Sequence, residues 1–369
     1  MHHRQIPLAC IGLQVTLAMP AAIFVRMKVA ITGGTGHIGN TLTRALLAQG
    51  RKPRLLVHKT HRSIEDLDVE QVHGDVRDPA ALDQLLDGVD VVYHLAAHIS
   101  IASRPDPLVQ LNIDGPRAVV DACLRHGIAQ GGTVKRLIHF SSVHALRIPP
   151  MGQAITEDAP PADQPHDLPY DRSKAEGEKI VQAGVEKGLN AVICSPSGVM
   201  GPHDFQPSFM GDALIRIHDG TLPSLVDGAY DFVDVRDVVA GALAAETRGQ
   251  VGKRYLLTGH FLSVPQIGQL VTEASGRPAP RLVTPIWLAE ASVPFAELWA
   301  KITRTRPLYT KASLQILHSN CQFQRTNSER DLGFTARPPI ETVRDALAWF
   351  HQAGMLKKPS TLQLQSPHD

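Results

Sequence analysis

A glycine-rich turn directly after a short apolar strand constrains this chain more than any other feature of its sequence. The strand is predicted at Val29–Thr32, and Gly33-Gly34-Thr35-Gly36-His37-Ile38-Gly39 follows it. Glycine allows a sharp turn at Gly33, close approach of a ligand to the backbone at Gly36, and tight packing of helix on sheet at Gly39. The helix that begins here presents free N–H groups and a positive dipole end to phosphate oxygens. The pattern therefore predicts a dinucleotide-binding βαβ unit.

Short β-branched runs alternate with amphipathic helical stretches from Met27 to about Cys194. The predicted strands are Val29–Thr32, Arg54–Val57, Val69–His73, Val89–Leu95, Arg136–Ser141 and Ala191–Cys194. Between the first two, apolar residues at helical spacing predict a helix that ends at Gly50. This alternation predicts an α/β fold, a Rossmann-type doubly wound parallel sheet with helices on both faces.

The pattern changes after Cys194, where prolines punctuate a loop-rich region. Further elements are predicted as a strand and helix within Phe232–Ala245, a strand at Arg254–Leu257, a helix behind the capping box of Ser263 and Gln266, and a last helix after Pro338-Pro339. Residues 27–195 then form a nucleotide-binding domain to which residues 228–258 return. Residues 196–227 and 259–356 form a smaller, mostly helical C-terminal substrate-binding region, and residues 357–369 form a polar tail.

Residues 1–26 do not fit this scheme. The stretch from Ile6 to Val25 is apolar and long enough to resemble a membrane anchor or a signal peptide, although polar residues and prolines interrupt it. Three interpretations stay open: a spurious upstream start with Met27 as the true initiator, which we favour, an N-terminal anchor, or a cleaved signal. A dinucleotide-dependent enzyme belongs where the dinucleotide is, and we therefore expect a cytoplasmic protein.

The charge and composition are those of an ordinary globular protein. Hydrophobic residues make up 43% of the chain and the formal net charge is +1, which argues against nucleic acid or an acidic membrane surface as a partner. The four cysteines, Cys10, Cys123, Cys194 and Cys321, form no close pair and have no metal-ligand spacing. We expect buried thiols in a reducing compartment and no bound metal.

Two side chains suited to acid–base chemistry lie one helical turn apart. Tyr170 and Lys174 are four residues apart and share one face of a predicted helix. An ammonium close to a phenol favours the phenolate and lowers the pKa of the tyrosine. Tyr170 could then protonate a carbonyl oxygen while hydride reaches the carbon, or take the alcohol proton in reverse.

The glycine spacing, with Thr32 in front of it, resembles the T-G-x-x-G-x-x-G pattern of the extended short-chain dehydrogenase/reductase family. Further segments match its landmarks at Gly74–Asp78, Tyr93–Ala97, Asn112 with Gly115, Pro196–Pro202 and Phe232–Asp237. The similarity runs from Met27 to about Met355 and is closest to the dihydroflavonol-4-reductase-like branch. It implies an NAD(P)-dependent enzyme that acts on a small molecule, and a possible homodimer.

The resemblance also implies the roles of single residues. Ser142, at the end of the strand Arg136–Ser141, would hydrogen-bond the substrate oxygen, with Ser141 as the less favoured choice. Asp75 would contact the adenine, and Lys174 would reach the nicotinamide ribose. The full set implied at the cofactor is Gly33, Thr35, Gly36, His37, Ile38, Gly39, His58, Lys59, Asp75, Val76, Leu95, Ala96, Ala97, Asn112, Tyr170, Lys174, Pro196, Ser197 and Val199.

The end of the second predicted strand bears on the choice between NAD and NADP. NAD enzymes place an acid there for the ribose 2′-hydroxyl, and NADP enzymes place a cation for the 2′-phosphate. The segment Leu56–Arg62 contains no acid, and Lys59 and Arg62 could attract a phosphate. They could equally be solvated loop cations. We expect NADP to be preferred over NAD.

Several other side chains remain ambiguous. His98 and His144 lie on loops at strand ends, and we interpret them as exposed or locally bonded histidines. Phe205, Met210 and Tyr230 could line a substrate pocket or pack in the core.

Three functions are compatible with these patterns. The favoured one is an oxidoreductase acting on a ketone or secondary alcohol of an apolar substrate. A nucleotide-sugar epimerase or dehydratase would usually carry an arginine and an asparagine in the segment Ser195–Pro202, which has neither, although Arg216, Lys253 and Arg254 could contact phosphate. The third is a module that senses NADP(H) without turnover, which the retained Tyr170 and Lys174 argue against.

Overall fold

The computed structural model describes residues 27–59, 62–100, 106–303 and 309–358. Within them the strands are β1 (Val29–Thr32), β2 (Arg54–Val57), β3 (Glu70–His73), β4 (Val91–His94), β5 (Arg136–Phe140), β6 (Ala191–Pro196), β7 (Gly198–Met200), β8 (Leu225–Val226), β9 (Ala229–Asp234), β10 (Arg254–Leu257), β11 (His260–Ser263) and β12 (Val283–Thr284). The predicted apolar segment within residues 1–26, and most of the predicted polar tail, lie outside the described residues.

The α-helices in the same ranges are α1 (His37–Ala48), α2 (Pro79–Leu86), α3 (Leu111–Arg125), α4 (Pro169–Glu186), α5 (Phe209–His218), α6 (Val235–Arg248), α7 (Val264–Ser275), α8 (Ile286–Thr303), α9 (Lys311–Leu317) and α10 (Pro339–Gln352). Single 3₁₀ turns lie at Arg62–Ile64, Pro107–Gln110, Ile128–Gln130 and Val143–Ala145, and a π-helical turn lies at Ser328–Leu332.

Seven strands form one parallel sheet in the order β10-β6-β5-β4-β1-β2-β3. The chain order reverses at β1, which has β2 on one side and β4 on the other. In sheets of this kind ligands bind at the carboxyl ends of the strands, in the crevice at the reversal point. The predicted Rossmann-type, doubly wound sheet is confirmed, and the glycine loop after β1 lies at that crevice.

Helices cover both faces of this sheet. Leu42 and Leu46 of α1 are buried with Val238 and Ala242 of α6 on one face. Helices α2, α3 and α4 bury a second apolar cluster on the opposite face. Burial on both faces explains why the strands read as continuous apolar runs rather than as alternating ones.

A buried ion pair ties the end of α1 to α6. The Arg51 guanidinium donates to both carboxylate oxygens of Glu246 at 3.0 and 2.9 Å, and only 4% and 1% of the two side chains is exposed. The Tyr93 hydroxyl of β4 donates to the same carboxylate. Tyr93 is therefore a core residue whose hydroxyl is paired.

The smaller region contains two further sheets and the third apolar core. Strands β11, β9 and β7 form one sheet, and β12 pairs with β8. Helices α5, α7 and α10 pack around them. The capping box of Ser263 and Gln266 is present at the start of α7, and the last helix begins at Pro339, as predicted.

One sequence prediction needs correction in this region. The segment 228–258 was expected to return as a whole to the nucleotide-binding domain, but only α6 and β10 do so. Strand β9 pairs with β7 and β11 instead. The physical reason is visible in its side chains, since Tyr230 and Phe232 are buried in the third core while Val233 is buried in the first. The strand therefore bridges the two regions.

Candidate active site

The glycine loop has the steric features of a pyrophosphate cradle. Gly33 adopts a φ of +76°, and a Cβ there would lie 2.6 Å from the Ala96 amide nitrogen. A Cβ on Gly39 would lie 2.2 Å from the Gly33 carbonyl oxygen. At Gly36, by contrast, a Cβ would meet only that oxygen, at 3.5 Å, so this side of the loop is open.

The start of α1 leaves its N–H groups available to a ligand. Gly36 is the N-cap residue and no side chain caps the helix. Uncapped N–H groups at a helix start form a ready anion site. The loop therefore fits a dinucleotide pyrophosphate, and Thr35, Ile38 and the backbone of His37 belong to it. The His37 imidazole itself pairs with the Pro202 carbonyl oxygen, 2.9 Å from Nε2.

The residues expected at the adenosine end lie after β2 and β3. His58 and Lys59 are exposed at the end of β2, and Asp75 with Val76 follows β3. Arg77 donates to the Asp75 carboxylate at 2.7 Å and, with that hydrogen bond as the main cause, the pKa of Asp75 falls to about 2. Asp75 is therefore ionised, and the His58 Nε2 lies 3.9 Å from it.

Asn112 anchors the loop that follows β4. Its amide donates to the His98 carbonyl oxygen at 2.9 Å and accepts from the His98 N–H at 2.8 Å. It also donates to the Ser173 hydroxyl of α4 at 3.0 Å. Leu95, Ala96 and Ala97 lie just before this anchor, and Ala96 is held against Thr32 of β1. Asn112 thus fixes the loop after β4 to the helix that carries Tyr170.

The three residues predicted to be catalytic come together at the carboxyl edge of the sheet. Tyr170 lies in the first turn of α4, which begins at Pro169, and Lys174 lies one turn further on. Ser142 follows β5 and caps the 3₁₀ turn Val143–Ala145, where its hydroxyl accepts from the His144 N–H at 3.2 Å. The Ser142 hydroxyl lies beside the Tyr170 phenol and acts to lower its pKa. All three side chains are buried, with 8%, 9% and 5% exposed for Ser142, Tyr170 and Lys174.

The later landmarks lie beside this cluster. Pro196 ends β6, and Val199 is the middle residue of β7. The Ser197 hydroxyl donates to the buried Asp231 carboxylate, which also accepts from the Gly259 N–H at 2.8 Å. Ser197 therefore holds β7 against β9 through its side chain.

These observations can be compared with known proteins. The model of the NAD dependent epimerase/dehydratase family matches residues 29–257, from β1 to the last strand of the main sheet. The chain belongs to this family. The predicted resemblance to extended short-chain dehydrogenases/reductases is thereby confirmed.

Individual relatives of the family cover nearly the whole described chain. Sterol demethylase protein B from Methylococcus capsulatus is 34% identical over 340 residues, which are 89% of this chain and 100% of that protein. A relative from Synechocystis of the dihydroflavonol-4-reductase kind is 29% identical and covers 89% of this chain and 95% of its own length. The solved structure of gox2253 superposes with a TM-score of 0.75 at 30% identity, covering 89% of this chain and 99% of that one.

Burial is the main cause of the pKa shifts of Tyr170 and Lys174. It raises the pKa of Tyr170 above its ordinary value, because a buried phenolate is poorly solvated, while the Ser142 hydrogen bond opposes this and Asp171 adds to it. Burial lowers the pKa of Lys174 to about 8, and Glu178 opposes that shift. The expectation that Lys174 lowers the pKa of Tyr170 is wrong for this structure. The Lys174 ammonium donates to the Phe140 carbonyl oxygen at 3.0 Å, and burial of the phenol dominates.

The sequence analysis did not predict the contacts that His144 makes beside Tyr170. The His144 Nδ1 lies 3.0 Å from the Asp171 carboxylate, and its Nε2 lies 3.0 Å from the Tyr230 hydroxyl. The imidazole also meets the Tyr170 ring edge-on, with 5.5 Å between ring centroids. His144 is locally bonded, as interpreted, but its bonds join three segments around the predicted acid–base residue. No local sequence pattern predicts these contacts, because the partners of His144 come from distant parts of the chain.

Two buried histidines lie beneath the site on neighbouring strands. His94 of β4 shares a hydrogen bond of 2.7 Å with Thr32 through Nδ1, and its Nε2 has no hydrogen-bond partner. Neither ring nitrogen of His139 on β5 has a partner, and the two rings lie 5.3 Å apart. Burial, helped by the charge of Lys174, lowers the pKa of His94 to about 3 and that of His139 far below its usual value. Both are neutral at physiological pH.

The remaining candidates for a substrate pocket lie in or against the third apolar core. The Phe205 ring packs edge-on against Trp349, at 5.0 Å between centroids, and the Arg44 guanidinium lies over the Phe205 ring at 5.6 Å. Met210 and Tyr230 lie in or against the same apolar core. His98 pairs with Asp106 at 2.8 Å.

Within the described residues, no group of side chains could hold a metal ion, and no helix combines the length and apolar character needed to cross a bilayer. The three described cysteines, Cys123, Cys194 and Cys321, are buried and unpaired.

Proposed function

We propose that this chain is an NAD(P)-dependent oxidoreductase that transfers hydride between a nicotinamide and a ketone or secondary alcohol of an apolar substrate. The observation that carries the proposal is that the buried side chains of Ser142, Tyr170 and Lys174 come together at the carboxyl edge of the sheet. That edge also holds the open glycine loop after β1. Two hydroxyls at this position can receive one substrate oxygen beside a nicotinamide.

The chain's own groups manage the proton in this scheme. When bound, the nicotinamide would supply or accept the hydride at the reacting carbon. In the direction of reduction, the Tyr170 hydroxyl donates its proton to the carbonyl oxygen, and Ser142 donates a second hydrogen bond that orients it. Proton donation of this kind contributes ~10²–10⁴ to a rate. The raised pKa of Tyr170 keeps the phenol protonated at neutral pH, ready to act as the acid.

Lys174 and the burial of the site complete the arrangement. The Lys174 pKa of about 8 leaves the ammonium largely charged at neutral pH, one helical turn from Tyr170. We propose that it contacts the nicotinamide ribose and so holds the cofactor beside Tyr170. Burial of all three side chains limits access of water, which strengthens these interactions.

The apolar surroundings support an apolar substrate. The core next to the Ser142 and Tyr170 hydroxyls contains Tyr230, Phe232 and Trp349 with partly buried Phe205. The relative at 34% identity is named for a sterol, a large apolar molecule with a secondary alcohol. We propose an apolar ketone or alcohol of this class.

The cations that could have recognised a sugar nucleotide are engaged by acids. Arg216 pairs with Asp212 at 2.7 Å, and Lys253 pairs with Asp331 at 3.1 Å. Arg254 pairs with Glu178 and begins β10, which places it towards the amino edge of the parallel sheet. These contacts weigh against the epimerase and dehydratase alternative. The intact Ser142, Tyr170 and Lys174 weigh against a sensor without turnover.

We further propose a preference for NADP over NAD. His58 and Lys59 are exposed after β2 where a ribose 2′-phosphate would lie, and neither residue is an acid. The nearby Asp75 carboxylate is paired with Arg77 rather than free to accept a 2′-hydroxyl.

A substrate panel tests the proposal. The full chain would be mixed with NADP⁺ or NAD⁺ and either a 3-hydroxysteroid or a UDP- or dTDP-glucose, and nicotinamide reduction would be followed at its absorbance. We expect net reduction with the apolar alcohol and tighter binding of NADPH than of NADH. Lys59→Glu should weaken NADPH binding and leave NADH binding unchanged. Conversion of the sugar nucleotide without net reduction would establish the epimerase alternative, and cofactor binding without any turnover would establish the sensor.

A further inference from the structure

Helix α8 is apolar on two opposite sides. One side buries Ala289 and Val293 against Leu314 of α9. The opposite side leaves large apolar side chains exposed, and Leu288, Phe295 and Ile302 follow one another at intervals of seven residues, which places them in one stripe. We call the following set the α8 surface: Leu282, Val283, Trp287, Leu288, Phe295 and Ile302, with 65%, 39%, 66%, 46%, 75% and 68% of each residue exposed.

This concentration of apolar side chains differs from the rest of the described chain. Six of the fourteen exposed large hydrophobic residues in the described ranges fall between residues 282 and 302. The others are spread over the rest of the described chain, such as Ile128 in a 3₁₀ turn and Val251 in the loop before β10. Single exposed apolar residues are normal, whereas a contiguous apolar face marks an interaction surface.

The segment that carries the α8 surface is basic. Between Arg277 and Lys311 the sequence has six basic and two acidic residues, a net charge of +4, whereas the whole chain has a net charge of +1. Arg281 and Lys311 are exposed at its two ends. The low net charge of the whole chain argued against an acidic membrane surface as a partner. This segment nevertheless has a local excess of cations.

We propose that the α8 surface docks onto an anionic lipid bilayer. Aromatic and aliphatic side chains on one helix face, with lysine and arginine beside them, are the pattern of helices that lie in the plane of a membrane interface. The apolar stripe would enter the acyl boundary, while the cations would contact anionic headgroups. A second copy of the chain fits less well, because a two-fold contact through this face would bring the same basic flanks towards each other.

The position of the surface connects it to the candidate active site. Strand β12 pairs with β8, and Leu225 of β8 is buried in the same core as Tyr230. The Tyr230 hydroxyl contacts His144, next to Tyr170. A membrane at this face would place an apolar substrate close to the site. That consequence rests on the proposed function, whereas docking itself rests on the α8 surface alone.

Vesicle binding tests the docking without any substrate. The full chain would be co-floated with vesicles of phosphatidylcholine, with or without phosphatidylglycerol, at low and high salt. The wild type should bind the anionic vesicles, and salt should weaken the binding. The double variant Trp287→Ser/Phe295→Ser should lower the partition coefficient by about tenfold or more, from the apolar area lost. The double variant Arg281→Gln/Lys311→Gln should reduce the preference for phosphatidylglycerol.

The matched control is Ile128→Ser/Val251→Ser, which removes apolar residues that are 62% and 52% exposed elsewhere. It should bind vesicles as the wild type does, and thermal unfolding should verify that every variant folds. Absence of binding to anionic vesicles would overturn the proposal. Equal binding by all variants would also overturn it and would assign binding to another segment, such as residues 6–25. Loss of self-association in the α8 variants, with no vesicle binding, would assign the face to a second copy.

These outcomes are separable from those of the proposed function. Vesicle binding without hydride transfer to any apolar alcohol would leave docking intact and refute the oxidoreductase assignment. Turnover of a water-soluble alcohol without vesicle binding would support the oxidoreductase assignment and refute the docking.

Discussion

The same added methyl group should have different effects at Gly39 and Gly36 of the glycine loop: it should lower stability at Gly39 and weaken cofactor binding at Gly36. At Gly39 a Cβ would lie 2.2 Å from the Gly33 carbonyl oxygen and 2.9 Å from the Gly34 Cα, both backbone atoms that cannot swing aside. Overpacking of this kind destabilises a fold by about 1–3 kcal/mol. Gly39→Ala should therefore lower the free energy of unfolding in the absence of any cofactor.

At Gly36 the folded protein has room for the methyl group, but the methyl group would collide with the bound cofactor. The residue has a φ of −79° and a ψ of 171°, which alanine adopts freely, and its Cβ would meet only the Gly33 oxygen at 3.5 Å. The change in unfolding free energy should stay within about 1 kcal/mol, from the small cap and chain-entropy effects of glycine replacement. The methyl group would occupy the side on which the pyrophosphate approaches, and the dissociation constant of NADPH should rise at least about tenfold, or about 1.4 kcal/mol.

Urea unfolding without cofactor and fluorescence titration with NADPH measure the two effects separately. The account expects a stable but weakly binding Gly36→Ala and a destabilised Gly39→Ala. If Gly36→Ala binds NADPH like the wild type, the cofactor does not lie on this loop as argued. If Gly39→Ala unfolds at the wild-type urea concentration, the steric argument is refuted.

Three further predictions concern contacts and burial that the structure shows. Glu246→Leu leaves the Arg51 guanidinium buried without its carboxylate, and urea unfolding should show a loss of about 3–5 kcal/mol. Asp66→Leu, which removes the exposed partner of Arg44, should lose little, and equal losses would contradict the prediction. The folded-state pKa of His139 lies below its unfolded value. Below about pH 6.5 the unfolded chain therefore binds more protons than the folded one, and the free energy of unfolding decreases as the pH is lowered. His139→Leu should move the acid-unfolding midpoint to lower pH, while His166→Leu at an exposed site should not; a midpoint unmoved by His139→Leu would show that this ring does not limit acid stability. His144→Asn removes the link between Asp171 and Tyr230 beside Tyr170, and it should lower kcat on the order of tenfold with unchanged NADPH affinity; an unchanged kcat would make the network purely structural.

Local signals explain the parts of the fold that the sequence predicted well. The glycine turn after β1 and the end of α1 next to Gly50, whose φ is positive, depend on single residues, and both were predicted. The capping box of Ser263 and Gln266 depends on a spacing of three residues, and it is present. The i, i+4 spacing of Tyr170 and Lys174 likewise placed both on α4.

The parts that could not be predicted depend on contacts between distant segments or on burial. Strand β9 has the composition of any short strand, and only its pairing with β7 and β11 removes it from the main sheet. The network of His144 joins residues 27 and 86 positions away in the chain. The sign of the pKa shift at Tyr170 depends on how deeply the phenol is buried, which spacing alone does not reveal.

The role of Tyr170 as the proton donor and acceptor is the central claim. Its most direct test is the single-turnover rate of nicotinamide reduction by an apolar secondary alcohol, measured for the wild type and Tyr170→Phe together with NADPH affinity. Tyr309→Phe, which removes a phenol far along the sequence on the segment between α8 and α9, serves as the control. The account predicts that Tyr170→Phe is slower by ~10²–10⁴ while it binds NADPH as tightly as the wild type. A Tyr170→Phe rate equal to that of the wild type would contradict the account.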